Sequence, residues 1–264
     1  MTAPTVAPLA AAPEPVPSVS AWTWINVYIR LLAIQGSWNY ETLLGNGIGF
    51  CVEPALRQIP GGIHGAPFKA AIARESAYFN AHPYLASVAV GALARAELSG
   101  VPAERIERFR TALCGPLGSV GDRLVWAGWL PFASLVALVA FGLGARPLAV
   151  IGIFLGLYNA GHLALRAWGL HVGWTRGLGV ASALANPLLR RGPAHLARAA
   201  AAAAGVALPL TAARVLEGPP TLLALVLVGV ALLSVLLVRV QRRVEGYKLT
   251  LVLIALFALL SVAR

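Results

Sequence analysis

The chain has 264 residues, of which 58% are hydrophobic and only 12% are charged. Soluble proteins average about 45–50% apolar and about 25% charged residues, so a single soluble domain of this length has no means of burying so much apolar surface. The formal net charge is +11, but the basic residues punctuate apolar runs instead of forming a basic face interleaved with aromatics, which argues against a nucleic-acid-binding protein.

The two halves of the chain differ in charge and hydropathy. Residues 1–128 contain nine Lys and Arg and eight Asp and Glu. Residues 129–264 contain 12 Lys and Arg but only two Asp and Glu. The apolar residues crowd into this second half. We therefore predict a disordered cytoplasmic tail at 1–20, amphipathic helices and re-entrant helical hairpins at 21–128, and a transmembrane helical region at 129–264.

The first half contains apolar segments that are too short to span a bilayer. WTWINVYIRLLAI at 22–34 is interrupted by Arg30, which predicts an interfacial amphipathic helix. The apolar stretches 83–93 and 113–120 fall well below the roughly 20 residues that a span requires, so we interpret them as re-entrant pieces shielded by protein. Between them, AERIERFRTAL after Pro102 predicts a cytoplasmic helix.

The second half contains about five candidate transmembrane helices, and the chain is predicted to be an all-α polytopic membrane protein. These segments are residues 129–145, 147–168, 199–213, 221–238 and 249–263. The connections after the second and fourth segments are rich in arginine, and basic loops stay in the cytoplasm. This predicts a cytoplasmic N-terminus and an extracytoplasmic C-terminus in the inner membrane, unless the short third segment only half-crosses. A weak Gly-xxx-Gly pair, Gly152 and Gly156, lies in the second segment.

No sequence pattern indicates a catalytic centre, a metal or a cofactor. Cys51 and Cys114 lack a CxxC spacing and a neighbouring His, so they are interpreted as reduced core residues. Glu217 and Glu245 fall in predicted loops, so no acid–base pair or activated nucleophile lies at membrane depth. A membrane-embedded enzyme is therefore the least favoured hypothesis.

Three polar residues of the second segment share one helical face. Asn159, His162 and Arg166 follow each other at spacings of three and four residues. Polar groups in hydrocarbon are costly and are often functional. The alternative interpretation, which the sequence favours, is that Asn159 and His162 bond to neighbouring helices while Arg166 extends to the cytoplasmic boundary.

Aromatic residues accompany amide and carboxylate groups at several places in the first half. This is the chemistry of sugar recognition, in which hydroxyls bind polar groups and the C–H face of the ring packs on an aromatic surface. The same residues are equally suited to pinning hairpins by satisfying backbone groups. The candidate substrate-binding or gating residues are Gln35, Trp38, Asn39, Tyr40, Glu41, Asn80, His82, Asp122 and Asn159.

Three sequence blocks resemble those of a known family. They are QGSWNYE at 35–41, FNAHPY at 79–84 and GPLGSVGD at 115–122, and they occur in the family's order. Asn159 and GWTRG at 173–177 are similar to two later elements of the same family. On these motifs the chain is identified as a member of the enzyme IID components of the mannose, fructose and sorbose phosphotransferase systems (PTS).

The resemblance implies a non-phosphorylated membrane subunit of a sugar permease, with no enzymatic activity on its own. Such a IID chain pairs with a IIC chain, as a trimer of IIC–IID heterodimers, and translocates a hexose that the soluble IIB component phosphorylates within a relay that includes IIA. The chain departs from the family's pattern at residues 42–44, Arg123, Leu130 and His162. These departures leave a second hypothesis open, a degenerate IID-like membrane protein with a structural or regulatory role and no sugar flux.

Overall fold

The computed structural model describes residues 17–216 together with 228, 229 and 232. The regular elements in this range are helices, so the predicted all-α class is confirmed for the described residues. In chain order they are α1 (Ala21–Leu32), α2 (Gly45–Leu56), α3 (Ala66–Glu75), α4 (Ala86–Leu98), α5 (Ala103–Gly121), α6 (Leu130–Gly142), α7 (Pro147–Arg176), α8 (Ala181–Leu184) and α9 (Pro187–Leu216). The predicted spans 221–238 and 249–263, and most of the predicted tail, lie outside the described residues.

Among the described residues, three helical stretches are long and apolar enough to cross a bilayer. They are Ala103–Gly142, Pro147–Val180 and Leu189–Val215, with 40, 34 and 27 residues. At 1.5 Å per residue the first stretch is about 60 Å long, which is twice the thickness of the hydrocarbon core. The first two stretches are therefore longer than a bilayer crossing requires, and each has a part that packs against the N-terminal helices.

We call the stretch Ala103–Gly142 the first long helix. It joins two segments that the sequence predicted to be separate. The predicted cytoplasmic helix after Pro102 and the predicted span from residue 129 are continuous, because α5 passes through π-helical turns at Asp122–Trp129 into α6. Leu113 and Leu117 are buried on either side of Pro116 and pack this part of the helix against the core. The predicted boundary between the N-terminal region (21–128) and the transmembrane region (129–264) falls within this helix. This division into domains stays a prediction.

The arginines that precede the third predicted span lie on a helix, and their prediction as loop residues is wrong. α9 begins at Pro187, so Arg190, Arg191 and Arg198 belong to its N-terminal part. Charged residues end an apolar stretch because they leave hydrocarbon, but they do not end a helix. The predicted segment 199–213 is therefore the apolar part of a longer helix.

Helix α1 carries apolar side chains on two faces. Val27 and Leu31 are buried in the core, whereas Trp22 and Ile29 are 74% and 57% exposed. Ser20 caps the helix, because its side-chain oxygen accepts from a backbone N–H of the first turn. An exposed apolar face of this kind is typical of a helix at a membrane surface, and the interfacial position of α1 stays a prediction.

Helix α4 is enclosed by other helices. Ten of its 13 residues are buried, and it packs against α2, α5 and α7. A helix that is apolar on all sides needs such an enclosure. Residues 86–93 of the stretch predicted to be re-entrant belong to this helix, and residues 83–85 precede it. Its entry into the bilayer stays a prediction.

Helices α4 and α7 are in contact backbone to backbone. A Cβ atom at Gly91 would lie 2.4 Å from the carbonyl oxygen of Leu170, and one at Gly173 would lie 2.1 Å from that of Val88. Small residues allow such an approach, which is how helices associate in lipid. The Gly-xxx-Gly pair seen in the sequence, Gly152 and Gly156, has open space around it among the described residues, and the contact at Gly173 was not predicted.

We expect Gly173→Ala to destabilise the protein, because the new methyl group would overlap the carbonyl oxygen of Val88 and push α4 away from α7. Overpacking of this kind costs about 1–3 kcal/mol. Thermal unfolding of the purified protein in detergent measures the effect. Gly152→Ala is the matched control on the same helix, and it should leave stability unchanged or slightly raised. Equal melting temperatures for the two variants would contradict the contact.

A buried ion pair joins the first long helix to α3. The guanidinium of Arg110 pairs with the carboxylate of Glu75, and both side chains are at most 5% exposed. Arg110 also donates to the carbonyl oxygen of Ala77 at 2.8 Å and lies over the ring of Phe79. Because each partner would be a buried charge without the other, the pair determines how the two helices are positioned.

Arg110→Gln should destabilise the protein by about 3–5 kcal/mol, because it leaves the carboxylate of Glu75 buried without its charged partner. Chemical unfolding in mixed micelles, followed by circular dichroism, measures the change. Arg57→Gln serves as the control, since Arg57 is 58% exposed and pairs with Glu53 on the surface, and it should unfold like the wild type. A loss for Arg110→Gln no larger than that of the control would contradict a structural role for the buried pair.

Candidate functional site

The three sequence blocks meet in the fold. Just after the first block, the backbone N–H of Leu44 donates to the carbonyl oxygen of Phe79 at 3.0 Å, and the N–H of Phe79 donates to that of Thr42 at 3.1 Å. The third block touches the second at Gly121, where an added Cβ would lie 2.2 Å from the Cβ of His82. Blocks that are far apart in the sequence therefore form one structural unit.

Asn39 closes the turn that follows the first block's tryptophan. Its Oδ1 accepts from the backbone N–H groups of Glu41 and Thr42, each at 2.9 Å, and its Nδ2 donates to Oγ1 of Thr42 at 2.8 Å. Asn side chains favour such turns because they act as a local backbone acceptor. In this chain Asn39 thus holds the turn in shape and presents its neighbours to the surface.

Six of the nine predicted site residues are exposed. They are Gln35, Trp38, Tyr40, Glu41, Asn80 and Asp122. The rings of Trp38 and Tyr40 make an edge contact at 4.9 Å. Four of the six lie on the turn held by Asn39 or in the four residues before it, and they form an exposed surface.

His82 and Asn159 belong to a different group, an aromatic cluster centred on Tyr84. The ring of Tyr84 lies 4.9 Å from the rings of His82 and His162 and 5.8 Å from that of Trp126. Its hydroxyl shares a 2.6 Å hydrogen bond with the hydroxyl of Tyr158. The Tyr84 cluster consists of His82, Tyr84, Trp126, Tyr158, Asn159, His162 and Arg166.

Arg166 forms the buried side of the Tyr84 cluster. Its guanidinium lies 4.6 Å from the centroid of the Tyr84 ring, donates to the carbonyl oxygen of Leu31, and lies 3.5 Å from that of Pro83. The expectation that Arg166 extends to the cytoplasmic boundary is wrong, because the ring and the carbonyl at the end of α1 attract the charge inside the protein.

Asn159 and His162 make their hydrogen bonds within α7. Nδ2 of Asn159 donates to the carbonyl oxygen of Leu155 at 2.7 Å, and Oδ1 of Asn159 lies 2.8 Å from Nε2 of His162. The expected bonds to neighbouring helices are not formed within the described part of the chain. His162 instead reaches the neighbouring segment by stacking on Tyr84.

Neither Tyr158 nor the central position of Tyr84 was predicted from the sequence. Tyr158 lies four residues before His162, so the helical spacing that brought His162 to attention was also a signal for Tyr158. Tyr84 belongs to the second block, but nothing in the sequence indicates that four other rings gather around it. Trp126 enters the group because the π-helical turns of the first long helix pass beside His82.

Three buried nitrogen atoms of the cluster have no hydrogen-bond partner among the described residues. They are Nε2 of His82, Nδ1 of His162 and Nε of Arg166. Buried polar atoms in proteins are nearly always paired, so three unpaired atoms around one ring are an unusual feature of this cluster.

His82 is a neutral imidazole at pH 7. Burial lowers its pKa from 6.5 to about 4, and the charge of Arg166 acts in the same direction. Its Nδ1 accepts from the backbone N–H of Tyr84 at 3.2 Å. A neutral ring with Nδ1 as the acceptor carries its proton on Nε2, so the unpaired Nε2 is a hydrogen-bond donor.

Within the described residues no three His, Cys, Asp or Glu side chains are grouped to hold a metal ion. Cys51 and Cys114 are both free thiols, and burial raises the pKa of Cys51 to about 12. The chemistry of the candidate site therefore consists of aromatic faces, hydroxyls, amides and imidazoles.

The long apolar helices define this chain as an integral membrane protein, and the Tyr84 cluster joins the second sequence block to α7 and the first long helix. A family model described as the PTS system mannose/fructose/sorbose family IID component matches residues 18–198. The chain belongs to this family, which makes it a protein of the inner membrane.

Two curated relatives from different organisms have similar sequences. The mannose-specific EIID component of the PTS of Escherichia coli (strain K12) is 31% identical over 173 residues, which cover 63% of this chain and 59% of the relative. The fructose permease IID component of Bacillus subtilis (strain 168) is 30% identical over 173 residues, with coverage of 63% and 61%. The chain therefore matches about three-fifths of the length of these relatives.

A solved structure shares the fold. The cryo-EM structure of the mannose transporter ManYZ in complex with microcin E492 matches this chain with a TM-score of 0.55 and 27% sequence identity, over 71% of this chain and 69% of that chain. A second structure, described as a membrane protein, matches with a TM-score of 0.60 at 23% identity and supports the fold alone.

The stability of the protein should decrease as the pH falls from about 6.5 to about 4. Below 6.5 the imidazole of the unfolded chain takes up a proton, whereas the folded His82 stays neutral until its lower pKa, so the unfolded state binds more protons in this window. His82→Gln removes this contribution, while its amide oxygen can still accept from the N–H of Tyr84. Melting temperatures measured across this range for both proteins give the difference.

His64→Gln is the control for the pH experiment, because His64 is exposed on the surface. It should keep the pH profile of the wild type. Parallel profiles for the wild type and His82→Gln would show that the buried imidazole is not the cause of the acid sensitivity.

Proposed function

We propose that this chain is the IID membrane subunit of a PTS sugar permease, which pairs with a IIC chain to translocate a hexose that the IIB component phosphorylates. The observation that supports it most is the Tyr84 cluster, around which the family's second and third blocks meet. Aromatic faces combined with imidazole, hydroxyl and amide groups are suited to binding sugars. The chain holds no phosphorylated residue in this proposal and acts only within the complex.

The outer edge of the Tyr84 cluster is the part that a sugar in transit would contact. Trp126 is 42% exposed, and Tyr158 and His162 are half-buried. Trp126 offers an aromatic face, and His162 offers the partly exposed edge of its imidazole ring. His82 and Arg166 lie deeper, and we assign them to positioning Tyr84.

The exposed predicted residues are assigned to a different task, contact with the IIC chain. Exposed aromatic side chains are enriched at protein interfaces, and Trp38 and Tyr40 are 45% and 88% exposed. We infer that the turn held by Asn39 faces the partner subunit. The residues assigned to this interface are Gln35, Trp38, Tyr40, Glu41, Asn80 and Asp122.

The first long helix is suited to coupling the cluster to movements of the membrane helices. Arg110 fixes one end of it to α3 through the pair with Glu75. Its π-helical turns at Asp122–Trp129 carry Trp126 beside His82. Such turns interrupt regular helix bonding and occur frequently at functional sites. We infer that rocking of α6 changes the position of Trp126 during the transport cycle, as alternating access requires.

The proposed orientation follows the positive-inside rule. Arg176, Arg190 and Arg191 lie where α7 ends and α9 begins, which assigns this end of the bundle to the cytoplasm. The turn at residues 143–146 is then extracytoplasmic, and the N-terminus is cytoplasmic. The extracytoplasmic C-terminus stays a prediction, because that part of the chain lies outside the described residues.

Expression of this chain with its IIC, IIA and IIB partners, in cells without other sugar phosphotransferase permeases, should yield phosphoenolpyruvate-dependent hexose uptake. Omission of this chain should abolish the uptake. Trp126→Ala should reduce uptake at limiting sugar roughly three- to tenfold through loss of an aromatic contact. Trp22→Ala, which removes an exposed tryptophan of α1, is the control and should retain uptake.

The two hypotheses from the sequence give different results in this experiment. Uptake that is unaffected by omitting the chain would disprove the transport role. A complex that assembles with IIC but neither transports sugar nor binds hexose by calorimetry would support the structural or regulatory role.

A further inference from the structure

Three exposed arginines lie at one level of the membrane bundle. Arg123 is on the first long helix, and Arg190 and Arg191 are on α9. A Cβ atom at Gly192 would lie 3.2 Å from the side chain of Leu124, so the two helices touch next to these arginines. We call Arg123, Arg190 and Arg191 the basic girdle.

The basic girdle lies about one hydrocarbon thickness from the other end of the bundle. At that end Gly142 packs against Leu210, where an added Cβ would lie 2.5 Å from the Leu210 Cβ. Arg123 precedes Gly142 by 19 residues, and Arg191 precedes Leu210 by the same 19 residues. Nineteen residues of helix extend about 28 Å, which matches the hydrocarbon core of about 30 Å. The girdle therefore lies at the level of lipid phosphates.

Within the described residues, no carboxylate pairs with a girdle arginine. The ion pairs found in the described range join side chains between Arg30 and Arg110. The sequence from residue 123 to residue 216 contains no Asp or Glu. Asp122 is exposed and forms no ion pair with the described residues. Exposed guanidinium groups without acidic partners favour an external anion.

A cleft of about 360 Å³ lies against the girdle, lined by Ala185, Pro187, Arg190 and Arg191. This volume lies within the range of small-molecule sites, about 300–1,000 Å³. The cleft is located where the 30-residue helix α9 begins. The positive end of the helix dipole lies here and adds to the attraction for an anion.

We propose that the basic girdle binds the phosphate of an anionic phospholipid headgroup. A free phosphate is also an oxyanion that arginine binds, but the girdle lies at the depth where lipid phosphates are anchored, and this favours the lipid. The phosphate bridges the first long helix and α9 at their contact. It thereby holds the bundle at a fixed depth in the membrane.

Native mass spectrometry of the purified chain tests the proposal, with phosphatidylglycerol and phosphatidylcholine added in equal amounts. The wild type should retain phosphatidylglycerol preferentially. Arg190→Gln/Arg191→Gln should weaken its retention at least about fivefold, since each arginine near an anionic lipid surface contributes about that much. Arg123→Gln is a second variant, in case the double variant does not fold.

Arg105→Gln/Arg108→Gln is the matched control, because it removes the same charge from exposed positions of α5 and should retain lipid like the wild type. Equal retention by folded girdle variants and the wild type would overturn the proposal. Displacement of phosphatidylglycerol by inorganic phosphate at equal concentration would also overturn it, since the site would then take a free anion. Unchanged lipid retention with reduced sugar uptake would assign the girdle to a soluble partner and reject the lipid.

Discussion

The close contact between α4 and α7 is the constraint on which the rest of the described structure depends. Gly91 and Gly173 allow the two backbones to meet, and a side chain at either position would separate the helices. Because α4 is held against α7, the segment that precedes it places Tyr84 over His162 and beside Tyr158. The Tyr84 cluster therefore exists only because a helix–helix contact brings its two halves together.

Two buried arginines then determine how the long helices are positioned against the N-terminal ones. Arg110, on the first long helix, pairs with Glu75, and Arg166, on α7, binds the carbonyl oxygen of Leu31 and the ring of Tyr84. A buried charge without a partner costs several kcal/mol. The glycine contact determines how closely α4 and α7 approach, and the two charges favour one register of each long helix.

These contacts link the membrane part of the molecule to the candidate site. The first long helix and α7 each extend from the apolar bundle into the region where the sequence blocks meet. The polar cluster lies near the level of the basic girdle, since Leu124 beside the girdle and Val125 after it both face His162 and Tyr84 across one cavity. A movement of the bundle in the bilayer would therefore change the positions of the aromatic rings.

The sequence by itself determined the fold class, the membrane location and the family. Apolar surface in such excess has to be in lipid, and this follows from composition without knowledge of any contact. The sequence also included His82 and Asn159, two members of the Tyr84 cluster, among its nine candidates. Only the tertiary structure decided that Arg166 points inward and that Tyr84 is central. Hydropathy is a property of neighbouring residues, whereas the carbonyl that binds Arg166 belongs to Leu31, 135 positions away.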